Sequence, residues 1–130
     1  PLHAIMANND STAQGAATAL ATAYSNEVYP IITGQDCDIV SMQNMLDGKQ
    51  AMSVFKDTRD LAVKAAEMVD AIMKGTEPEI NDTETYDNDW TAEGVNIIPT
   101  YICPPRVCTI DNYKELLIDT GYYTEDQLAG

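Results

Sequence analysis

Two hydrophobic periods alternate along the chain. Short apolar runs at residues 2–7, 30–34 and 51–55 read as strands, and the spacing after each becomes helical. Ala13, Ala16, Ala17, Leu20, Ala23 and Tyr24 share one helical face, with Gly15 and the alanines predicting a close approach to a sheet. Ile39, Met42, Met45 and Leu46 form a shorter stripe closed by Gly48. Leu61, Ala62, Ala65, Met68, Val69, Ile72 and Met73 form the longest, ended by Gly75, and their methionines read as core filler. Ser11 and Gln14 have capping-box spacing for the first helix, while Asp10, Asp38 and Asp57 read as helix caps.

Three polar corners separate the strands from the helices: Asn8-Asn9-Asp10, Gln35-Asp36-Cys37-Asp38 and Lys56-Asp57. Strand, corner and helix in that order, three times over, predict an α/β fold, a parallel sheet with flanking helices. In such sheets ligands bind beyond the carboxyl ends of the strands, where these corners lie.

The remainder is less periodic. Residues 76–94 are acidic and read as a surface excursion. Asp87, Asp89 and Glu93 miss the alternating spacing and central glycine of a calcium loop, and Trp90 reads as the anchor of the excursion. Residues 95–101 read as a strand that Pro99 places at an edge or crossing. A short helix is predicted over 113–119 with Leu116 and Leu117 inward, then a turn at Gly121 and a fraying polar turn from Thr124.

Composition narrows the function. The 130 residues carry a net charge of −14, from 21 acidic and 7 basic side chains, which argues against nucleic acid as a partner. No apolar run reaches the roughly 18 residues needed to span a bilayer. The chain opens on Pro1-Leu2-His3 and passes directly into a strand, so the expectation is that an N-terminal portion, with any membrane anchor, lies upstream. A Cys103–Cys108 disulfide would need a tight reversal at Pro104-Pro105 and would leave Cys37 a free thiol. His3 is the only histidine, and no metal site or cofactor is expected.

The corners suit vicinal hydroxyls. A carboxylate at Asp36 can accept from two neighbouring hydroxyls, the Asn9 amide can donate and accept, and the Lys56 ammonium can donate to ring or hydroxyl oxygens. No Ser-His-Asp material or glycine-rich phosphate cradle is present, so the chain reads as a binding protein and not an enzyme.

Ala7-Asn8-Asn9-Asp10-Ser11-Thr12-Ala13 with Gly15, then Thr33-Gly34-Gln35-Asp36-Cys37-Asp38, then Met52-Ser53-Val54-Phe55-Lys56-Asp57-Thr58-Arg59, together resemble the C-terminal half of type 1 periplasmic sugar-binding proteins. The nearest branch is the xylose and multiple-monosaccharide binding proteins of ABC importers. The tail, Asp111-Asn112-Tyr113-Lys114-Glu115 and Gly121-Tyr122-Tyr123-Thr124-Glu125-Asp126-Gln127, is similar to the end of that branch. The resemblance implies a Rossmann-like, periplasmic-binding-protein-like lobe, incomplete here, that closes with a second lobe on a pentose or hexose. It places Asn9, Asp36 and Lys56 on the sugar, with Asp10 a secondary candidate whose side chain serves the helix start. It assigns residues 1–56 to the C-terminal lobe, 57–94 to the N-terminal lobe, and 95–130 to a hinge crossing and tail.

The implied setting is extracytoplasmic, periplasmic or lipid-anchored at the cell surface, with an ABC permease as partner and a chemoreceptor as a further one. Cys37, Cys103 and Cys108 depart from the small or apolar residues expected there. The isolated segment, lacking half its cleft, is expected to bind sugar weakly and to self-associate. Two other readings stand beside it: the sugar effector-binding domain of a lactose-repressor-type transcription regulator, which shares the fold, and, from another class, an α/β enzyme using Asp36 and Lys56 for proton transfer.

Overall fold

The computed structural model describes residues 1–83, 87–88 and 96–129. Strands β1 (Ala4–Met6), β2 (Ile31–Thr33) and β3 (Met52–Phe55) alternate with helices α1 (Asp10–Ala23), α2 (Ile39–Leu46) and α3 (Thr58–Met73). The expected strand–helix alternation is therefore present. Two short strands follow, β4 (Asp87–Asn88) and β5 (Asn96–Ile97), then β6 (Arg106–Thr109), a π-helical turn at Lys114–Ile118 and a final helix, α4 (Glu125–Leu128).

The chain divides into two compact units, Pro1–Phe55 with Pro105–Gly130, and Lys56–Pro104. In the first, β1 pairs with β2 in parallel, with Ile5 opposite Ile32. Backbone bonds from Ala51 N to Ile32 O (2.9 Å), Val54 N to Gly34 O (3.0 Å) and Asp36 N to Val54 O (2.9 Å) join β2 to β3. Strand β6 closes this order antiparallel to β3, with Ser53 opposite Cys108 and Val54 opposite Val107. Strand β6 was not expected: it follows two prolines, is four residues long and leaves Arg106 and Val107 exposed, so no inward alternation marks it.

One face of this sheet is covered. Ala7, Ala13, Ala17 and Ile32 form one small cluster under α1. A larger one gathers Cys37, Met42, Met45, Phe55, Cys108, Leu116, Leu117 and Leu128 from α2, β3, β6 and the tail. Phe55 also meets the edge of the Tyr122 ring at 4.8 Å between centroids. The tail does not begin a fraying turn: Thr124 and Gln127 make a capping box, and Leu128 is buried against the core. The opposite face is bare, with Met6 88%, Ile31 59% and Val107 54% exposed.

Two local expectations need correction. Helix α1 is capped by Asn9, not Ser11, because Asn9 Oδ1 accepts from Thr12 N at 3.1 Å. Gly15 is exposed with open space around it, and the packing comes from Ala13 and Ala17, with Ala16 and Leu20 beside them.

In the second unit, Asp57 caps α3 by accepting from Arg59 N at 3.0 Å and also pairs with the Arg59 guanidinium. Gly75, at φ +71°, follows its end. The expected apolar stripe exists on α3, yet none of its residues is buried, and Val69, Ile72 and Met73 are 59%, 64% and 81% exposed. Asn81 anchors the excursion by exchanging two bonds with the backbone of Ile102, and Asp82 pairs with Thr100. The readings placed on Asp89, Trp90, Glu93 and the start of the 95–101 strand lie outside the described residues.

Candidate functional site

At the carboxyl ends of β1 and β2 the first two corners are organised by one side chain. Asp10 has no exposed surface. Its Oδ2 accepts from Asp38 N at 2.8 Å, its Oδ1 accepts from Gln50 Nε2 at 3.0 Å, and Ser53 Oγ lies 2.9 Å from both oxygens. The backbone joins in, with Asp10 N donating to Gln35 O at 2.8 Å. First corner, second corner and β3 therefore meet at one carboxylate. Asp10 is thus no helix cap. Asn9 took that position, and the side chain of Asp38, the third expected cap besides Asp57, makes no capping bond to α2.

The second corner has an unusual backbone. Asp36 and Cys37 are the two non-glycine residues with positive φ among those described, at 106° and 55°. Such conformations cost about 1–3 kcal/mol each and persist only where the surroundings enforce them. Here three successive amides are held: Asp36 N by Val54 O, Cys37 N by Ser53 Oγ at 3.0 Å, and Asp38 N by Asp10 Oδ2. Gly34 just before must be glycine, since a Cβ there would run into Asp10 Oδ1 and Gln50 Nε2. Asp36, partly exposed, sits on this braced turn.

The partly exposed Asn9 uses Oδ1 for both Thr12 N and Thr12 Oγ1, the latter at 2.7 Å, while its Nδ2 has no partner among the described residues. Lys56 follows β3 directly and opens the second unit. The structure thus puts Asn9 and Asp36 on adjoining corners of one sheet end. Ser53 and Gln50 were missed in the sequence. Their signal was a polar residue at an inward strand position, two before Phe55, and a buried amide just ahead of the strand.

Two electrostatic features stand out. Burial raises the Asp10 carboxyl above its ordinary value of 3.8 despite the bonds from Asp38, Ser53 and Gln50. Contact with Cys108 and burial push the Cys37 thiol up, and the same contact lowers that of Cys108. All three cysteines are free, and Cys108 lies against Cys37 instead of pairing with Cys103. A shallow cavity of about 510 Å³ lined by Tyr29, Pro30, Met45, Leu46 and Ile110 receives none of Asn9, Asp36 or Lys56.

Parallel strand–helix alternation with one antiparallel closing strand and polar groups at the strand ends defines an α/β lobe. Comparison with known proteins carries this further. Residues 1–77 match the periplasmic binding protein domain family, and the chain belongs to it.

It is 46% identical over 99 residues to the multiple sugar-binding periplasmic receptor ChvE of Rhizobium radiobacter, covering 76% of this chain and 27% of that protein. To the D-xylose-binding periplasmic protein of Escherichia coli it is 32% identical over 128 residues, covering 98% of this chain and 36% of that one. Among solved structures, an ABC transporter solute-binding protein from Clostridium phytofermentans with bound β-D-glucose is 57% identical, with a TM-score of 0.88 over 98% of this chain and 38% of that one. The chain therefore spans between about a quarter and two fifths of the length of these relatives.

The buried carboxylate makes two predictions. Asp10→Ala strands the Asp38 amide, the Gln50 amide and the Ser53 hydroxyl, and is expected to cost about 3–5 kcal/mol in denaturant unfolding; a loss below about 1 kcal/mol would contradict the hub. Because the native pKa is raised, Asp10 favours the folded state most below 3.8 and loses that contribution as pH rises through the native value. The deficit of Asp10→Asn, which cannot titrate, should therefore grow as pH falls toward 4.

Proposed function

We propose that the chain is part of the extracytoplasmic monosaccharide-binding component of an ABC sugar importer. The observation that carries this is the braced corner: Asp36, partly exposed, has a strained backbone at a strand end, next to the Asn9 corner, fixed by bonds from its own amide and those of Cys37 and Asp38. Rigid placement of a carboxylate is what discrimination between hydroxyl patterns requires. In this reading Asp36 accepts from two vicinal hydroxyls, Asn9 donates through Nδ2, and Lys56 donates to ring or hydroxyl oxygens. Asp10 positions the other groups and does not touch the sugar.

Residues 1–56 form part of the C-terminal lobe of the longer parent, 57–94 belong to its N-terminal lobe, and 95–130 make the hinge crossing and tail. The bare stripe of α3 supports the assignment of the middle segment, since it asks for a covering surface. The parent holds a pentose or hexose between lobes, binds without turnover and delivers the sugar to a membrane permease, with a chemoreceptor as a further partner. It is free in a periplasm or tethered by lipid. No helix among the described residues is long and apolar enough to cross a membrane. The kinship to sugar-binding proteins of ABC transporters favours this reading over the transcription regulator.

Titrating a monosaccharide panel against the full-length parent by calorimetry is expected to find one or more sugars bound. Asp36→Ala should then weaken binding by about 1.5–3 kcal/mol, the worth of hydrogen bonds to a charged group. A loss below about 1 kcal/mol would remove Asp36 from the site.

The chain alone should self-associate through its bare sheet face around Met6, Ile31 and Val107. Sedimentation should show a mass that rises with concentration. A monodisperse monomer across that range would contradict it.

A further inference from the structure

Cys37 and Cys108 come from distant parts of the chain and meet inside the core of the first unit. Cys108 stands directly opposite Ser53 in the β3–β6 pairing, so its side chain shares the inward face with Ser53. Cys37 N donates to Ser53 Oγ at 3.0 Å, and Cys37 Sγ lies 4.0 Å from the carbonyl oxygen of the same residue. Both cysteines have no exposed surface and share one apolar cluster. Cys103, partly exposed, belongs to the second unit.

We propose that Cys37 and Cys108 are a dithiol that a small disulfide oxidant converts to an internal disulfide, tying the second corner to β6. The bond closes a chain loop that contains all of Lys56–Pro104. It thereby ties the second corner to the strand on which the first unit regains the chain. Among the described residues strand β6 pairs on one side only, with β3, so its detachment is the opening that admits the oxidant.

The chemistry balances as two exchanges. The Cys108 thiolate, favoured by the hydrogen bond from Cys37, attacks one sulfur of the oxidant and expels one thiolate. Cys37 then loses its proton to that thiolate and attacks the Cys108 sulfur of the mixed disulfide, expelling a second thiolate, which takes up from water the proton that Cys108 released on ionising. Two electrons pass from the cysteine pair to the oxidant, which leaves as two thiols carrying both protons.

The test incubates the chain, first fully reduced, in oxidised glutathione under native conditions and, in parallel, in concentrated urea. After acid quenching and alkylation, peptides are mapped by mass spectrometry without reduction. The native sample is expected to yield a peptide pair linked through Cys37 and Cys108, lighter by two hydrogens than the reduced pair, with Cys103 alkylated or joined to glutathione. The urea sample should favour Cys103–Cys108, whose intervening loop is the shortest. Cys103→Ser should leave the native product unchanged. Cys103–Cys108 as the main native product would overturn the proposal. So would oxidation of Cys103 alone, with Cys37 and Cys108 both still alkylatable once the chain is unfolded.

Discussion

The first unit depends on a carboxylate taken out of water. Asp10 is buried, and it meets three donors from two separate pieces of chain: the Asp38 amide, and the Gln50 side chain and Ser53 hydroxyl at β3. A buried charge without partners costs several kcal/mol, and its partners here are the groups that must be assembled for the strand ends to stand side by side. The desolvation that raises its pKa is thus the same force that makes departure of any one donor expensive. Against this stand two left-handed residues, Asp36 and Cys37, at about 1–3 kcal/mol each. Hydrogen bonds to a charged group contribute about 1.5–3 kcal/mol apiece, enough to hold the corner in its strained form.

That division of labour explains two adjacent residues with opposite roles. Asn9 is partly exposed and spends its carbonyl oxygen on the start of α1, keeping its amide donors for something else. Asp10 faces inward and holds the scaffold. The second corner repeats the arrangement in three steps, since the amides of Asp36, Cys37 and Asp38 all point to fixed acceptors while Asp36 as a residue is partly exposed. Bonds from main-chain amides thus fix the backbone of this corner.

Much of this was legible in the sequence because the periodicities are local. Three strand-to-helix switches, the stop at Gly48 and the stop at Gly75 follow from residues within one turn of each other. What escaped was set by distant partners. Strand β6 exists because β3 offers it an edge, and nothing in Arg106-Val107-Cys108-Thr109 alternates in the way a half-buried strand does. Asp10 looked like a cap because Asp at a helix start usually is one, and only the arrival of Gln50 and Ser53 turns it inward. The meeting of Cys37 with Cys108 likewise follows from β6. The α3 stripe was read correctly as a pattern, yet the described residues do not cover it, which agrees with a chain spanning a fraction of its relatives' length.

The central claim is that the Asp10–Ser53 hub holds the corner that carries Asp36. Amide hydrogen exchange by NMR, residue by residue, measures this in the wild type and in Ser53→Ala. The account predicts that the Cys37 and Asp38 amides exchange about tenfold faster or more in the variant, the equivalent of roughly 1.4 kcal/mol, while amides in the middle of α1 keep their protection. Unchanged protection at Cys37 and Asp38 in a folded Ser53→Ala variant would contradict it.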